Sequence, residues 1–412
     1  MSHSLRILNI IRSVNPVQGG PSEGLRHCVA ATRALGHQQD VLTLDAPGDP
    51  WVAPYPATTH AVGPTRNGYG HTPRLTPWLR EHAKAYDAVI VHGLWQYQGL
   101  ATRLTLRGSG VPYFVYPHGM LDPWFKRQYP LKHAKKWLYW AAAERAVLRD
   151  AAAVLFTTQE EARLAPQSFP NFCGRGEVLG YGLVLDELAR QAAAEDFLLH
   201  FPALRGQRLL LFLGRLHAKK GCDLLIEAFG AVAASTTADP RLHLVLAGPD
   251  SEGLQSQLTQ IAQRAGIGNR VTFTGMLTGA VKWGAMRAAE VFVLPSHQEN
   301  FGIAVAEALA MGLPTLLSDK VNIWREVVAS GAGFAAADTL QGTTALLQRW
   351  LTLPGAGQAQ MREAAPACFE RHFHMQAAAR RLVQLIKAQP TRRTTGAPPE
   401  VNSQPCHTAH SQ

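Results

Sequence analysis

"EVFVLPSHQENFGIAVAEALAMGLPTLLSD", residues 290–319, passes from one apolar run to another through a polar loop and a helical stretch. The first run, "EVFVLPS" (290–296), is short and continuous, the pattern of a strand buried on both faces. Gly302 opens a helical pattern, "IAVAEALAMG", that Gly312 and Pro314 stop, and "PTLLSD" (314–319) resumes the strand pattern. Strand, helix, strand is the unit that builds parallel sheets, because a parallel partner needs a long crossover where an antiparallel one needs only a tight turn.

The same rhythm extends on both sides. "RLLLFLGRL" (208–216), a helix at "CDLLIEAFGAVAA", "LHLVLAGPD" (242–250), a helix at 254–265 and "RVTFTG" (270–275) precede this stretch. Earlier still, "LRILNII" (5–11) leads through "SVNPVQGGPSEG" into a helix from Leu25 to Leu35 and the strand "GHQQDVLTL". "YDAVIVHG" (86–93), "VPYFVYPHG" (111–119) and "AAAVLFTT" (151–158) continue the alternation. The reading is α/β, with two doubly wound, Rossmann-like domains whose ligand crevices lie at the carboxyl ends of the strands and face an inter-domain cleft. The expected division is residues 1–185, a linker at 186–206, a second domain at 207–372, a C-terminal helix at 373–388 returning to the first domain, and a polar, Pro-rich, disordered tail at 389–412.

At 412 residues, with 46% hydrophobic and 17% charged residues, the chain has material for two packed cores. Its net charge of +10 points to an anionic partner without choosing among phosphorylated substrates, anionic lipid and nucleic acid. Cys28, Cys173, Cys222, Cys368 and Cys406 form no CxxC pair, so neither a zinc site nor a disulfide framework is indicated. The apolar run in "MSHSLRILNIIRS" is too short for a secretory signal, no stretch reaches the ~18 apolar residues of a membrane span, and the expectation is a cytoplasmic protein.

Glu299 and Glu307 pose the chemical question. A glycosidase pair needs its carboxyls roughly 5 Å apart for retention or roughly 6.5–9.5 Å for inversion. Eight helical residues separate these two by about 12 Å, and a loop at Glu299 brings them no closer. The acids therefore bracket one long ligand. Between them the helix start at Gly302 offers free backbone N–H groups from residues 301–305, and Arg215 and Lys220 in "GRLHAKKG" lie past the domain's first strand at the same sheet edge. A diphosphate with a polar group at each end fits that set.

These residues carry a resemblance. "GRLHAKKGCDLLIEAF", "LVLAGPD", "VTFTGML" and "VFVLPSHQENFGIAVAEALAMGLPTLLSD", with their Glu-x7-Glu spacing, resemble the retaining nucleotide-sugar glycosyltransferases of family 4, or group 1. The resemblance runs from residue 5 to 388, densest in 208–335, and implies a GT-B fold with the donor mostly in the second domain and the acceptor mostly in the first. It implies that Glu299 binds the donor sugar, Glu307 the ribose, and Arg215 and Lys220 the leaving diphosphate together with the amides of Gly302 and Ile303. Met276 and Leu277 would border the base. His118 in "VYPHGML" would act near the donor sugar and its phosphate, with His118 and Glu299 as the catalytic pair. Gly19 and Gly20 would lie against the diphosphate or the acceptor, and His92 and Trp95 in "VHGLW" would face the acceptor. No metal and no other cofactor is expected. Where the family often has Pro-Asn-Gly before the linker, this chain reads "LGYGLV" around Tyr181.

The expected activity is hexose transfer from a nucleotide diphosphate sugar to a saccharide or lipid-linked glycan acceptor. An epimerase of the same fold and a non-catalytic sugar-nucleotide or glycan-binding protein are the alternatives. The absence of Gly-x-Gly-x-x-Gly counts against a dehydrogenase. "DPWFKRQYPLKHAKKWLYWAAAERAVLR" (122–149) interleaves basic and aromatic residues. It suits either an anionic membrane surface or an acceptor-side helix with its rings turned inward, and no module for nucleic acid accompanies it.

Overall fold

The computed structural model describes residues 3–234 and 239–389. Cys406 and all but the first residue of the expected tail at 389–412 lie outside the described residues. The described residues divide into two compact units, one of 3–181 with 375–389 and one within 182–374.

The first unit holds strands β1 (Arg6–Ile11), β2 (Gln38–Thr43), β3 (Thr58–Ala61), β4 (Ala88–His92), β5 (Tyr113–Tyr116), β6 (Ala153–Phe156) and β7 (Gly176–Val178). They form one sheet in the order β3-β2-β1-β4-β5-β6-β7. Every pairing is parallel. Every residue of β4 is buried, which explains its unbroken apolar sequence. Its alternate side chains enter two cores: Val89 and Val91 join Leu8, Ile10 and Val115 on one face, while Ala88 and Ile90 join Ile7 and Phe114 on the other. The second core is closed by Leu382, Val383 and Ile386 of helix Met375–Lys387, so the last helix packs on the first unit as expected. The apolar stripe of that helix has no other sheet face assigned to it, and burial there is what recruits it.

In the second unit β8 (Arg208–Leu213), β9 (Leu242–Ala247), β10 (Val271–Gly275), β11 (Ala289–Leu294), β12 (Thr315–Ser318) and β13 (Gly333–Ala336) form a sheet ordered β10-β9-β8-β11-β12-β13. These pairings are parallel as well. Helix Cys222–Ala233 buries Leu225, Ile226 and Phe229, the stripe expected of its sequence. The segment expected to be a linker differs. Within 186–206, helices Glu187–Gln191 and Ala194–Leu198 pack on helix Gly279–Ala288 in the second unit, with Phe197 buried. Short helices with few apolar positions leave a weak periodic signal, and only tertiary contact shows them to be part of the core. Strands β3, β7 and β13 also carry too short a pattern to be read from sequence.

One glycine inside a helix reports how tightly the first unit closes. Gly24, in helix Gly20–Ala34, lies so near the Tyr181 ring that a Cβ there would run into the Tyr181 hydroxyl. Gly24→Val is expected to lower stability by roughly 1–3 kcal/mol through overpacking, read as a lower urea midpoint at unchanged slope. An unchanged midpoint would show that Tyr181 swings aside freely.

Candidate functional site

In an open parallel sheet the strands on either side of the reversal in order leave room for a ligand at their carboxyl ends. In the second unit that reversal lies between β8 and β11. The loop after β8 carries Arg215, Lys219 and Lys220, and the loop after β11 carries Gln298 and Glu299. The loops are tied together by His297 N–H donating to the Lys219 carbonyl at 2.8 Å and by Lys219 Nζ donating to Gln298 Oε1 at 3.1 Å. Gly302 follows with φ 77° as the N-cap of helix Ile303–Ala310. A side chain in that left-handed conformation would be strained, and a Cβ would crowd Glu299 Cγ at 3.2 Å. The N–H groups of Ile303 and Ala304 precede the first intrahelical bond and form the positive end of the helix dipole, whereas the Val305 N–H donates to the Gly302 carbonyl at 2.8 Å.

The two acids are held apart, each by its own lysine. Lys220 Nζ donates to Glu299 Oε2, and Glu299 is fixed in the chain by its N–H to the Lys320 carbonyl at 2.9 Å. Burial would raise the Glu299 carboxyl, but Lys220, Lys219 and Arg215 outweigh it and hold the group below its ordinary value. Glu307 is only 3% exposed and pairs with Lys282 Nζ at 2.9 Å, a lysine that also lies 4.0 Å from the centre of the Trp283 ring. Arg215 is exposed and forms no ion pair among the described residues. Met276 and Leu277 sit just past the edge strand β10, with Met276 exposed. The result is one carboxylate–lysine pair on each side of a helix start, with an open cation beside it. Such a site takes an anion in the middle and hydroxyl donors at the ends. Lys282 escaped sequence reasoning, although it is the sole charge in "GAVKWGAM".

In the first unit the reversal lies between β1 and β4. Gly19, with φ 82°, caps helix Gly20–Ala34, and a Cβ on Gly19 or Gly20 would meet nothing within 4 Å, so the space beside this helix start is open. His92 ends β4 and His118 follows β5 with φ 50°. His92 Nδ1 and His118 Nε2 are 2.9 Å apart, and His92 Nε2 lies 3.1 Å from Asn9 Oδ1. With 6% exposure and both ring nitrogens engaged, His92 does not present itself to an acceptor, which corrects the sequence expectation. Sequence spacing places a residue at a strand end but does not say which neighbours will enclose it. Asn9, the one polar side chain in "ILNII", is the signal that was there to read.

Trp95 is half-buried, with its ring against Trp140 and Phe169, and its main-chain N–H donates to the buried Glu144 carboxyl at 3.0 Å. Burial pushes the Glu144 carboxyl up to about 8. The 122–149 segment divides its apolar side chains: Trp140 is buried, whereas Trp137, Leu131 and Leu138 stand out at 46%, 83% and 69% exposure beside the exposed Lys132 and Lys135.

Burial lowers His118 to about 4 and His92 well below its ordinary value, helped by their mutual proximity in the case of His92. Unfolded histidine titrates near 6.5, so the unfolded chain binds more protons between pH 6.5 and 4. The stability these rings contribute is present above pH 6.5 and is lost as the pH falls through about 4. Urea midpoints at pH 7 and pH 5 are expected to drop more in the parent than in His118→Gln. Equal drops would show that the ring is already solvated.

The comparisons with known proteins agree with this geometry. Residues 200–367 match the family profile described as glycosyl transferases group 1, and residues 19–182 match that of a glycosyl transferase 4-like domain. The GDP-mannose:cellobiosyl-diphosphopolyprenol alpha-mannosyltransferase of Xanthomonas oryzae pv. oryzae is 27% identical over 351 residues, 82% of this chain and 87% of the relative. In fold, the chain is similar to sucrose-phosphate synthase of Thermosynechococcus elongatus, with TM-score 0.73 and 22% identity over 93% of this chain and 98% of the other. It is equally similar to HepE of Anabaena, solved with UDP and glucose, with TM-score 0.73 and 18% identity over 93% and 100%. With two parallel Rossmann-like units of GT-B type and profile matches across both, the chain belongs to the group 1 glycosyltransferases.

Proposed function

We propose that the protein is a retaining hexosyltransferase that uses a nucleoside diphosphate sugar and a lipid-linked saccharide acceptor in the synthesis of a cell-surface glycan. The observation that carries this reading is the pairing of Glu299 with Lys220 and of Glu307 with Lys282 around the first turn of helix Ile303–Ala310. On that reading the diphosphate takes the helix start, at Gly302 and Ile303, with Arg215 and Lys220. Lys220 exchanges Glu299 for phosphate, which frees the Glu299 carboxylate for sugar hydroxyls. Glu307, oriented by Lys282, accepts from the ribose diol. Met276 and Leu277 border the base, and Gly19 and Gly20 leave room for the diphosphate or the acceptor beside their helix. The bond from the anomeric carbon to the phosphate oxygen breaks as the acceptor oxygen bonds that carbon. The acceptor proton passes to the departing diphosphate. No side chain is assigned as a covalent nucleophile.

Because the protein's own cations meet the charge that develops on the leaving group, transfer is proposed to need no metal. The Xanthomonas relative names GDP-mannose and a diphosphopolyprenol glycan, which makes that donor and acceptor the first pair to assay, with UDP-glucose as the second. In the presence of a chelator, one of the nucleotide sugars is expected to yield a transferred hexose with its anomeric configuration kept. No transfer from any donor would overturn the proposal.

The two acids are expected to fail differently. Glu307→Gln keeps an acceptor oxygen but loses the charge that strengthens its hydroxyl bonds, worth about 1.5–3 kcal/mol. It should weaken the sugar-free nucleoside diphosphate and the whole donor alike. Glu299→Gln should leave nucleoside diphosphate affinity nearly intact and lower kcat, since the sugar is where charge develops. Calorimetric titration decides between them, and equal losses would mean that both acids serve one subsite.

The exposed Leu131, Trp137 and Leu138 among Lys132 and Lys135 support a peripheral seat on an anionic membrane, where a lipid-linked acceptor resides. Binding to phosphatidylglycerol vesicles is expected, and it should weaken with salt because exposed charges are screened within about 10 Å at 0.1 M. Leu131→Ser with Leu138→Ser should weaken it at every salt concentration. Absence of binding by the parent protein would sink this part of the proposal.

A further inference from the structure

Behind the His92–His118 contact runs a buried chain of neutral polar groups. Asn9 Nδ2 donates to Gln39 Oε1 at 2.8 Å and to the Asp40 carbonyl at 3.4 Å. Gln39 Nε2 donates in turn to Thr32 Oγ1 at 2.7 Å and faces Cys28 Sγ at 3.5 Å. Asn9 is 1% exposed, Gln39 5% and Thr32 0%, so no solvent competes for these bonds. The main-chain carbonyl of Asp40 can only accept, and this fixes the polarity of the chain. The Asn9 amide nitrogen must face Asp40 and Gln39, and its oxygen must face His92.

We propose that Asn9, acting through His92, fixes which nitrogen of His118 carries the proton. An Asn9 oxygen 3.1 Å from His92 Nε2 requires a proton on that nitrogen. Neutral His92 then has a lone pair at Nδ1, and His118 Nε2, 2.9 Å away, must donate to it. Neutral His118 is left with an unprotonated Nδ1, an acceptor. An acceptor suits a ligand hydroxyl and repels a phosphate oxygen. Asn9 and His92 are thus positioning residues for His118. This rests on the role that the family resemblance implies for His118, beside the sugar and its phosphate, and it narrows that contact to a hydroxyl.

The test is nitrogen-15 NMR of histidine-labelled full-length protein at pH 7.5, with the His118 signals identified by their loss in His118→Gln. Both His92 and His118 are expected as neutral Nε2–H tautomers. A proton on His118 Nδ1 in the parent protein overturns the proposal with no variant needed. Asn9→Asp should stabilise a doubly protonated His92, whose Nδ1–H must then donate to His118 Nε2 and drive the His118 proton to Nδ1. His92→Phe should leave His118 a mixture of tautomers and lower kcat/KM roughly 3- to 10-fold, as for one neutral hydrogen bond, without changing nucleoside diphosphate affinity. His92→Gln, which can accept from His118 and donate to Asn9, should restore the Nε2–H form and most of the rate. An unchanged His118 tautomer in both Asn9→Asp and His92→Phe overturns the proposal whatever the rates do. Unchanged transfer in His118→Gln would instead overturn the reading that this ring meets the sugar, and the two failures are therefore distinguishable.

Discussion

A parallel strand cannot be entered from its neighbour by a tight turn. The chain has to leave the far end, cross the sheet as a helix and start again on the same side. In both units this makes all the carboxyl ends of the strands gather along one edge, and at the reversal between β8 and β11, and between β1 and β4, the departing helices leave in opposite directions. Arg215, Lys220 and Glu299 are neighbours for that reason alone, since some eighty residues of chain separate Lys220 from Glu299. The helix start at Gly302 belongs to the same edge, so its unpaired N–H groups and the cations of the β8 loop converge without any element departing from the regular fold.

Charge is distributed over that edge so that each acid is matched by a lysine, while Arg215 forms no ion pair among the described residues. A carboxylate as buried as Glu307 is costly unless paired, and Lys282 supplies the partner from the neighbouring helix. Removing either member would leave the other charge buried alone, which is why such a pair defines geometry more than it adds stability. The Glu299 side chain is less enclosed than that of Glu307, 14% against 4% exposed, which makes its pair with Lys220 the more open of the two to exchange. The first unit is built on the opposite principle. Its polar centre, from Thr32 through Gln39 and Asn9 to His92 and His118, carries no formal charge and is held by hydrogen-bond polarity. In a low-dielectric interior such a chain is stable only if every member is satisfied in one direction.

Much of this was legible in the amino-acid sequence, and the reason is periodicity. Unbroken apolar runs such as "AVIVH" and "LRILNII" are what burial on both faces of a parallel sheet demands, and glycine and proline mark where helices must stop. Local chemistry was legible too: a glutamate eight residues from another across a glycine, after a strand and opposite a basic loop, admits few ligands. Short elements escaped because a few residues of β3, β7 or β13, or one turn of helix at Glu187–Gln191, are too little pattern to stand out from a loop.

What only the tertiary structure decided is which partners each polar side chain has. Sequence placed His92 and Trp95 at a strand end, and packing gave each its partners: His92 between Asn9 and His118, Trp95 against Trp140 and Phe169. Sequence placed Glu307 on an apolar helix, and the fold brought Lys282 to it from another. Segment 122–149 was ambiguous for the same reason, because its composition is shared by both readings and only the burial of Trp140 and the exposure of Trp137, Leu131 and Leu138 divide the residues between them. Secondary structure follows from interactions a few residues apart, which a linear pattern records. Hydrogen-bond partners, protonation and burial follow from groups brought together across long stretches of chain, and no local pattern encodes those distances.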